Sequence, residues 1–185
     1  MDLKHIALNE IGPEGCSLTV SDETVWKQPA EEYGLSCRIV EPVVADVFIL
    51  PQQDGCLLRG TIRGTVSMPC NRCMEETLVV LNQSFDEFEE YPGAVGTEPE
   101  EGESAGLLDE CVVTWEGGAP FLDLASLLWE EFSLALPVKP LCRPDCRGLC
   151  PVCGKNLNEG ACGCSRDSGD PRLAALRQLK VKHQG

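Results

Sequence analysis

Eight of the twelve cysteines in this chain of 185 residues fall in close pairs, and thiolates at such spacings hold metal ions. Cys150-Pro-Val-Cys153-Gly154 has the form of a zinc knuckle, because two thiolates of a Cys-x-x-Cys turn reach one ion from the same side. Pro151 restricts the backbone between them, and Gly154 permits the positive φ needed as the chain turns away. After a short loop, Cys162 and Cys164 can complete a tetrahedral site of four thiolates. Cys142 and Cys146 then lack a local partner, and so do Cys70 and Cys73. Combined, these two pairs make a second four-cysteine site that clips the tail of the chain to its body, so two zinc ions are expected. The alternative for Cys70 and Cys73 is a turn pair without metal. Cys16, Cys37, Cys56 and Cys111 stand alone and read as small core residues.

Other uses of this chemistry are less well supported. Cys146, Cys150 and Cys153 have the spacing with which radical S-adenosylmethionine enzymes hold an iron-sulfur cluster, but no alternating βα pattern follows them. A thioredoxin-like redox pair would need the same missing context. Four thiolates also leave zinc without the open position that catalysis requires, so the expected zinc is structural. His5 and His183 are the two histidines, and neither completes a triad or a zinc-protease motif. The acidic run at Asp86, Glu87, Glu89 and Glu90 reads as a solvated edge, with no phosphate loop or positioned base to make it a magnesium site. The expectation is a protein that is not an enzyme.

The elements that must position these cysteines are mostly strands. Residues 43–50 and 56–68 are rich in β-branched and apolar side chains, and 51–55 supplies turn chemistry, which predicts a hairpin. Residues 76–85 look like a return strand, placing Cys70 and Cys73 at the turn before it. Residues 91–106 hold four Gly, two Pro and four Glu, too little apolar surface to offset ordering, and read as a mobile acidic loop. Residues 107–115 predict another strand. Asp123 can cap a helix bearing Leu124, Leu127, Leu128 and Phe132 on one face and ending before Pro137. Trp129 on that helix is either a packing residue or an exposed partner contact. From Cys142 the composition is too poor in large apolar residues for a separate core, so something else must staple it. Asp170 and Pro171 then open a terminal helix carrying Leu173, Leu176 and Leu179. The fold class expected is α+β: an antiparallel β-rich body packed by one or two helices, with a C-terminal zinc knuckle and terminal helix.

Charge divides the chain at the same place. Residues 1–141 carry 7 basic and 26 acidic side chains, whereas residues 142–185 carry 8 and 4, within a formal net charge of −15. An acidic body of 1–141 and a basic, zinc-binding tail of 142–185 are the expected units. The mean field of the body repels nucleic acid. No apolar run approaches the ~20 residues of a membrane span, the first ten residues lack a signal peptide's apolar segment, and paired reduced thiols suit a cytosol. A cytoplasmic protein without a membrane partner is expected.

Four motifs in order carry a resemblance: Cys70-Asn-Arg-Cys73, Ser133-Leu-Ala-Leu-Pro-Val-Lys-Pro140, Gly148-Leu-Cys-Pro-Val-Cys-Gly-Lys-Asn-Leu-Asn158 and Asp170-Pro-Arg-Leu-Ala-Ala-Leu176. From about residue 38 to the C-terminus the chain resembles the YceD family, described as large ribosomal RNA subunit accumulation proteins. The resemblance implies a bacterial or plastid factor needed for synthesis, processing or stability of large-subunit rRNA. It also implies a shared site for the pairs Cys70/Cys73 and Cys142/Cys146, since some relatives place His at the latter positions. Two modes of action are then open. The tail can contact large-subunit rRNA or its precursor through Arg143, Arg147, Lys155, Arg166, Arg172 and Arg177. Alternatively the acidic body holds a basic ribosomal protein or a processing nuclease and acts on rRNA indirectly.

Overall fold

The computed structural model describes residues 2–92 and 112–164. They form β1 (Ile6–Ala7), β2 (Cys16–Val20), α1 (Thr24–Glu32), β3 (Arg38–Pro51), β4 (Gly55–Pro69), β5 (Glu76–Glu90), β6 (Val113–Glu116), β7 (Ala119–Leu122) and α2 (Leu124–Ala135). The larger sheet is antiparallel in the order β2-β3-β4-β5, and a small antiparallel sheet follows β1-β7-β6. With two helices on these sheets the fold is α+β.

Period-two alternation decides which face of the large sheet is covered. Val43, Ala45, Val47 and Ile49 of β3 are buried, as are Leu58, Ile62 and Val66 of β4 and Leu81 and Phe85 of β5. Gly60 falls on this inner face. A side chain there would come within 2.4 Å of the Phe85 ring, so the missing Cβ is what admits the aromatic. The expected hairpin is β3 and β4, closed by the Gln52 N–H donating to the Gly55 carbonyl at 2.8 Å. The return strand is β5, running to Glu90.

The helix α2 forms as its cap predicts. The Asp123 carboxylate accepts the Ser126 N–H at 2.9 Å, and Leu124, Leu127, Leu128 and Phe132 are buried on one face. Trp129 is half-buried, tilted on Phe132 at 5.6 Å and stacked with the exposed Tyr33 at 6.0 Å, so it both packs and faces outward. The strand pattern of the first ninety residues is interrupted by α1, which runs through Pro29. Proline removes one helical N–H, yet Val25, Trp26 and Ala30 are buried, and Trp26 meets Phe132 at 5.5 Å. Packing on α2 outweighs local propensity there.

The strand expected over 107–115 is represented by β6 from Val113, while 107–111 lie outside the described residues. So do the acidic loop beyond Pro92, Cys111 and the terminal helix expected after Asp170. Among the described residues no helix is long and apolar enough to cross a membrane.

Candidate metal centres

The β4–β5 connection is a tight turn, with the Cys70 N–H donating to the Glu75 carbonyl at 2.7 Å. It presents Cys70 and Cys73 toward the segment that follows α2, which brings up Cys142 and Cys146. The four Sγ atoms all lie within 4.8 Å of one another. Cys70 and Cys146 are 3.9 Å apart, and Cys73 and Cys142 are 3.6 Å apart. A tetrahedral ion with metal–sulfur bonds of ~2.3 Å requires sulfur–sulfur edges of ~3.8 Å, so these separations fit such an ion and not disulfides. Cys70, Cys73 and Cys146 are buried in a cluster of their own with Leu141 and Cys142, separate from the main core.

Cys150, Cys153, Cys162 and Cys164 form the second group, also with all Sγ atoms within 4.8 Å. Here Cys150 is buried and Cys153 exposed. The two Cys-x-x-Cys turns have the same backbone. Met74 N–H donates to the Cys70 carbonyl and Gly154 N–H to the Cys150 carbonyl, both at 2.9 Å. Both residues have positive φ, 63° at Met74 and 72° at Gly154. The geometry deduced for the glycine is thus repeated at a methionine, which reaches it only under constraint.

Each group splits into sulfurs that favour the thiolate and sulfurs that resist it. Cys70 is lowered to about 6, first by a backbone hydrogen bond from Cys142 and then by those from Arg72 and Cys73. Cys146 is lowered by the Asn158 side chain and the Gly148 backbone. Cys150 is brought to about 6 by the backbone N–H groups of Cys153 and Val152. Cys73 accepts a backbone bond from Glu75, but burial and the sulfurs of Cys70, Cys142 and Cys146 push it up to about 12. Cys142 is raised by burial and by Cys146. Cys164 is pushed up to about 12 by Cys153, by burial and by Cys162. Beside thiolates already formed, Cys73, Cys142 and Cys164 ionise at a cost that a nearby cation would offset. A divalent ion supplies that charge, and four thiolates saturate its tetrahedral coordination. Both groups can therefore hold a metal ion as a structural staple.

The structure shows supporting residues that spacing alone did not single out. Arg72 donates to the Cys146 carbonyl at 2.9 Å, and the Leu149 N–H donates to the Arg72 carbonyl at 3.1 Å. Gly148, at φ 72°, passes so close that a Cβ would sit 2.9 Å from the same Arg72 carbonyl oxygen. Asn156 donates to Glu75 at 2.8 Å, and Asn158 donates to the Cys146 sulfur at 3.3 Å. Their signal in the sequence is their place within two of the motifs that carry the resemblance, Cys70 to Cys73 and Gly148 to Asn158.

Of the basic candidates, Arg143 is ion-paired with Asp145 at 3.6 Å, Arg147 is exposed, and the exposed Lys155 reaches the Ala161 carbonyl at 3.3 Å. Arg166, Arg172 and Arg177 lie outside the described residues. Asp86 pairs with Arg59 at 2.8 Å across β4 and β5, and His5 stacks on Phe121 while bonding Glu116 at 3.0 Å. Cys56 is buried, and Cys16 and Cys37 are partly so.

Fold and sites together define an antiparallel α+β protein carrying two four-cysteine clusters, one of them joining the segment after α2 to a sheet turn. The chain belongs to the YceD family, described as Large ribosomal RNA subunit accumulation protein YceD, whose profile matches residues 58–180 and so includes all eight clustered cysteines. It is 27% identical over 160 residues to the Large ribosomal RNA subunit accumulation protein YCED homolog 1, chloroplastic, of Arabidopsis thaliana, covering 77% of this chain and 50% of that protein. The Zea mays protein of the same description is 25% identical over 142 residues, 66% of this chain and 48% of its own length. An uncharacterized protein of Mycobacterium tuberculosis is 30% identical over 135 residues, 72% of this chain and 60% of its own. The chain thus spans about half to three-fifths of the length of these relatives. No solved structure matches it.

Proposed function

We propose that this chain is a non-enzymatic ribosome-biogenesis factor supporting synthesis, processing or stability of large-subunit rRNA, with zinc as the structural metal of both clusters. The observation that carries the reading is membership of the YceD family across both clusters, together with the name of the plant relatives. All-thiolate tetrahedral donor sets favour zinc among common divalent ions. The reduced thiols suit the cytoplasm. Residues 1–141 act as an acidic body and 142–185 as a stapled basic tail. Deleting the chromosomal copy tests this: the ratio of large- to small-subunit rRNA should fall and be restored by the intact chain. An unchanged ratio refutes the reading, and metal analysis giving iron with visible absorption replaces zinc by a cluster.

A particular groove favours action through a basic protein over direct RNA contact. Between α1 and α2 lies a concavity of about 820 Å³ lined by the stacked Tyr33 and Trp129 and by Asp2, Asp22, Glu32 and Glu130, with Lys4 as the single basic residue in its lining among the described residues. Aromatic faces beside carboxylates suit arginine and lysine side chains and repel phosphate. Crosslinking that identifies bound protein and bound RNA together separates the two modes.

A further inference from the structure

We propose that the second cysteine cluster is the latch of the first: metal at Cys150, Cys153, Cys162 and Cys164 fixes Asn158 against Cys146, so the two centres bind metal cooperatively. This rests on both clusters holding metal, as argued above.

Cys146, a ligand of the buried cluster, and Cys150, a ligand of the exposed one, are separated by Arg147, Gly148 and Leu149 alone. The loop between Cys153 and Cys162 folds back over this short connection. The Leu157 N–H donates to the Gly148 carbonyl at 2.9 Å, and Leu149 pairs with Asn156 in an isolated antiparallel bridge. Asn158 then reaches back from this loop to Arg147 and Cys146. Its Oδ1 accepts the Arg147 N–H at 2.8 Å, and its Nδ2 donates to the Cys146 Sγ at 3.3 Å. Its own N–H donates to Asn156 Oδ1 at 3.0 Å, and Asn156 Nδ2 continues to Glu75 Oε1 at 2.8 Å, next to the knuckle of the buried cluster.

Apart from these hydrogen bonds, the second cluster is what closes the loop at both ends, through Cys150 and Cys153 before it and Cys162 and Cys164 after it. Leu157 is its one buried apolar side chain, and Gly154, Lys155, Asn156, Asn158, Glu159, Gly160 and Ala161 bring no core of their own. With that metal removed, the loop regains conformational freedom and the Asn158 amide leaves the sulfur. An N–H donor on a ligating sulfur both orients it and spreads its charge, and loss of such a partner typically lowers metal affinity 10- to 100-fold. Linkage makes the effect mutual: if the exposed centre tightens the buried one, the buried one tightens the exposed one by the same factor.

The test uses the full chain, first counted for metal and then titrated to equilibrium with a competing chromogenic zinc chelator. Both equivalents should be withdrawn over the same range of chelator concentration. Cys153→Ser and Asn158→Leu should each lower the zinc affinity of the buried centre by about 10- to 100-fold, and the double variant should bind no more weakly than Cys153→Ser alone. An affinity unchanged in both, or additive effects, overturns the proposal. The wild-type chain gives a reading that needs no substitution. Native mass spectrometry after removal of half the metal should show chains with two ions and with none, the one-ion species falling below the statistical share. Accumulation of one-ion chains as the majority overturns the coupling. Fewer than two equivalents at the outset overturns the double occupancy itself, and the inference with it.

Discussion

Met74 and Gly154 hold the same left-handed conformation one residue after a clustered cysteine, so a pair of opposite substitutions reads out how that conformation is supported. A side chain in this region costs roughly 1–2 kcal/mol, against which glycine loses about 0.5–1 kcal/mol to its freer unfolded state. Met74→Gly should therefore be neutral to stabilising by at most about 1 kcal/mol, its exposed side chain contributing little packing. Gly154→Ala should destabilise the metal-loaded tail by about 1 kcal/mol, because nothing lies within 4 Å of its Cβ position to compensate or to clash. Chemical denaturation and zinc retention of both variants check this, and a Met74→Gly variant that loses metal would sink the shared-geometry argument. The sequence shows the knuckle at Gly154 because the residue announces its backbone. At Met74 the turn is hidden, since only the surrounding hydrogen bonds hold methionine there. The four cysteine pairs were legible from spacing, whereas Asn158 and Arg72 act through folded contacts that spacing does not encode.

At the scale of elements, α2 was legible because a capping aspartate precedes an apolar stripe, and β3 to β5 because alternation marks one covered face. The helix α1 was not, since Pro29 argues locally against it and only Phe132, a hundred residues on, argues for it. The stripe of α2 also buries a charge-bearing residue that periodicity hides. Glu131 is 5% exposed and packs toward β5. Its pKa is raised by burial first, then by Glu87 and Glu130, against a hydrogen bond from Gln83 that lowers it. Glu89 is raised by the same kind of surroundings, burial and then Glu130 and Glu87. A carboxyl raised in the fold binds its proton more tightly there than in the unfolded chain. Its contribution is fully present below the unfolded value of about 4.3 and is lost as pH rises through the raised value. Glu131→Gln should thus raise the Tm relative to wild type at pH 7, and the gain should shrink on acidification toward pH 4. Taking the difference between the two proteins removes the common effect of acid on the cysteine clusters. A difference that does not vary with pH, or a variant less stable at pH 7, contradicts the assignment.

For the whole molecule, the buried cysteine cluster ties the segment after α2 to the turn between β4 and β5, while the main core lies elsewhere. Cys70→Ser should release that segment and speed proteolysis near Lys139, with the β-rich body still folded by circular dichroism; unchanged cleavage with two metals retained rules the tie out. If the charge division decides which partner each part attracts, the two parts make opposite predictions. The tail's formal +4 falls to roughly +2 once an ion and four thiolates are counted, since such a centre carries two net negative charges. A few phosphate contacts on that tail would give a shallow salt slope of roughly −0.7 per contact on single strands. The groove between α1 and α2 offers the opposite field with an aromatic floor. Replacing Glu32 and Glu130 by Gln keeps shape while removing two charges, and Tyr33→Ala removes the exposed ring. If a basic ribosomal protein is held there, both changes should weaken its capture by at least 10-fold at low salt, with the charge variant losing most of its salt sensitivity. Arg143→Gln with Arg147→Gln should leave that capture unchanged. The reverse pattern, with RNA retention lost on the arginine changes and protein capture indifferent to the groove, would place the working surface on the tail.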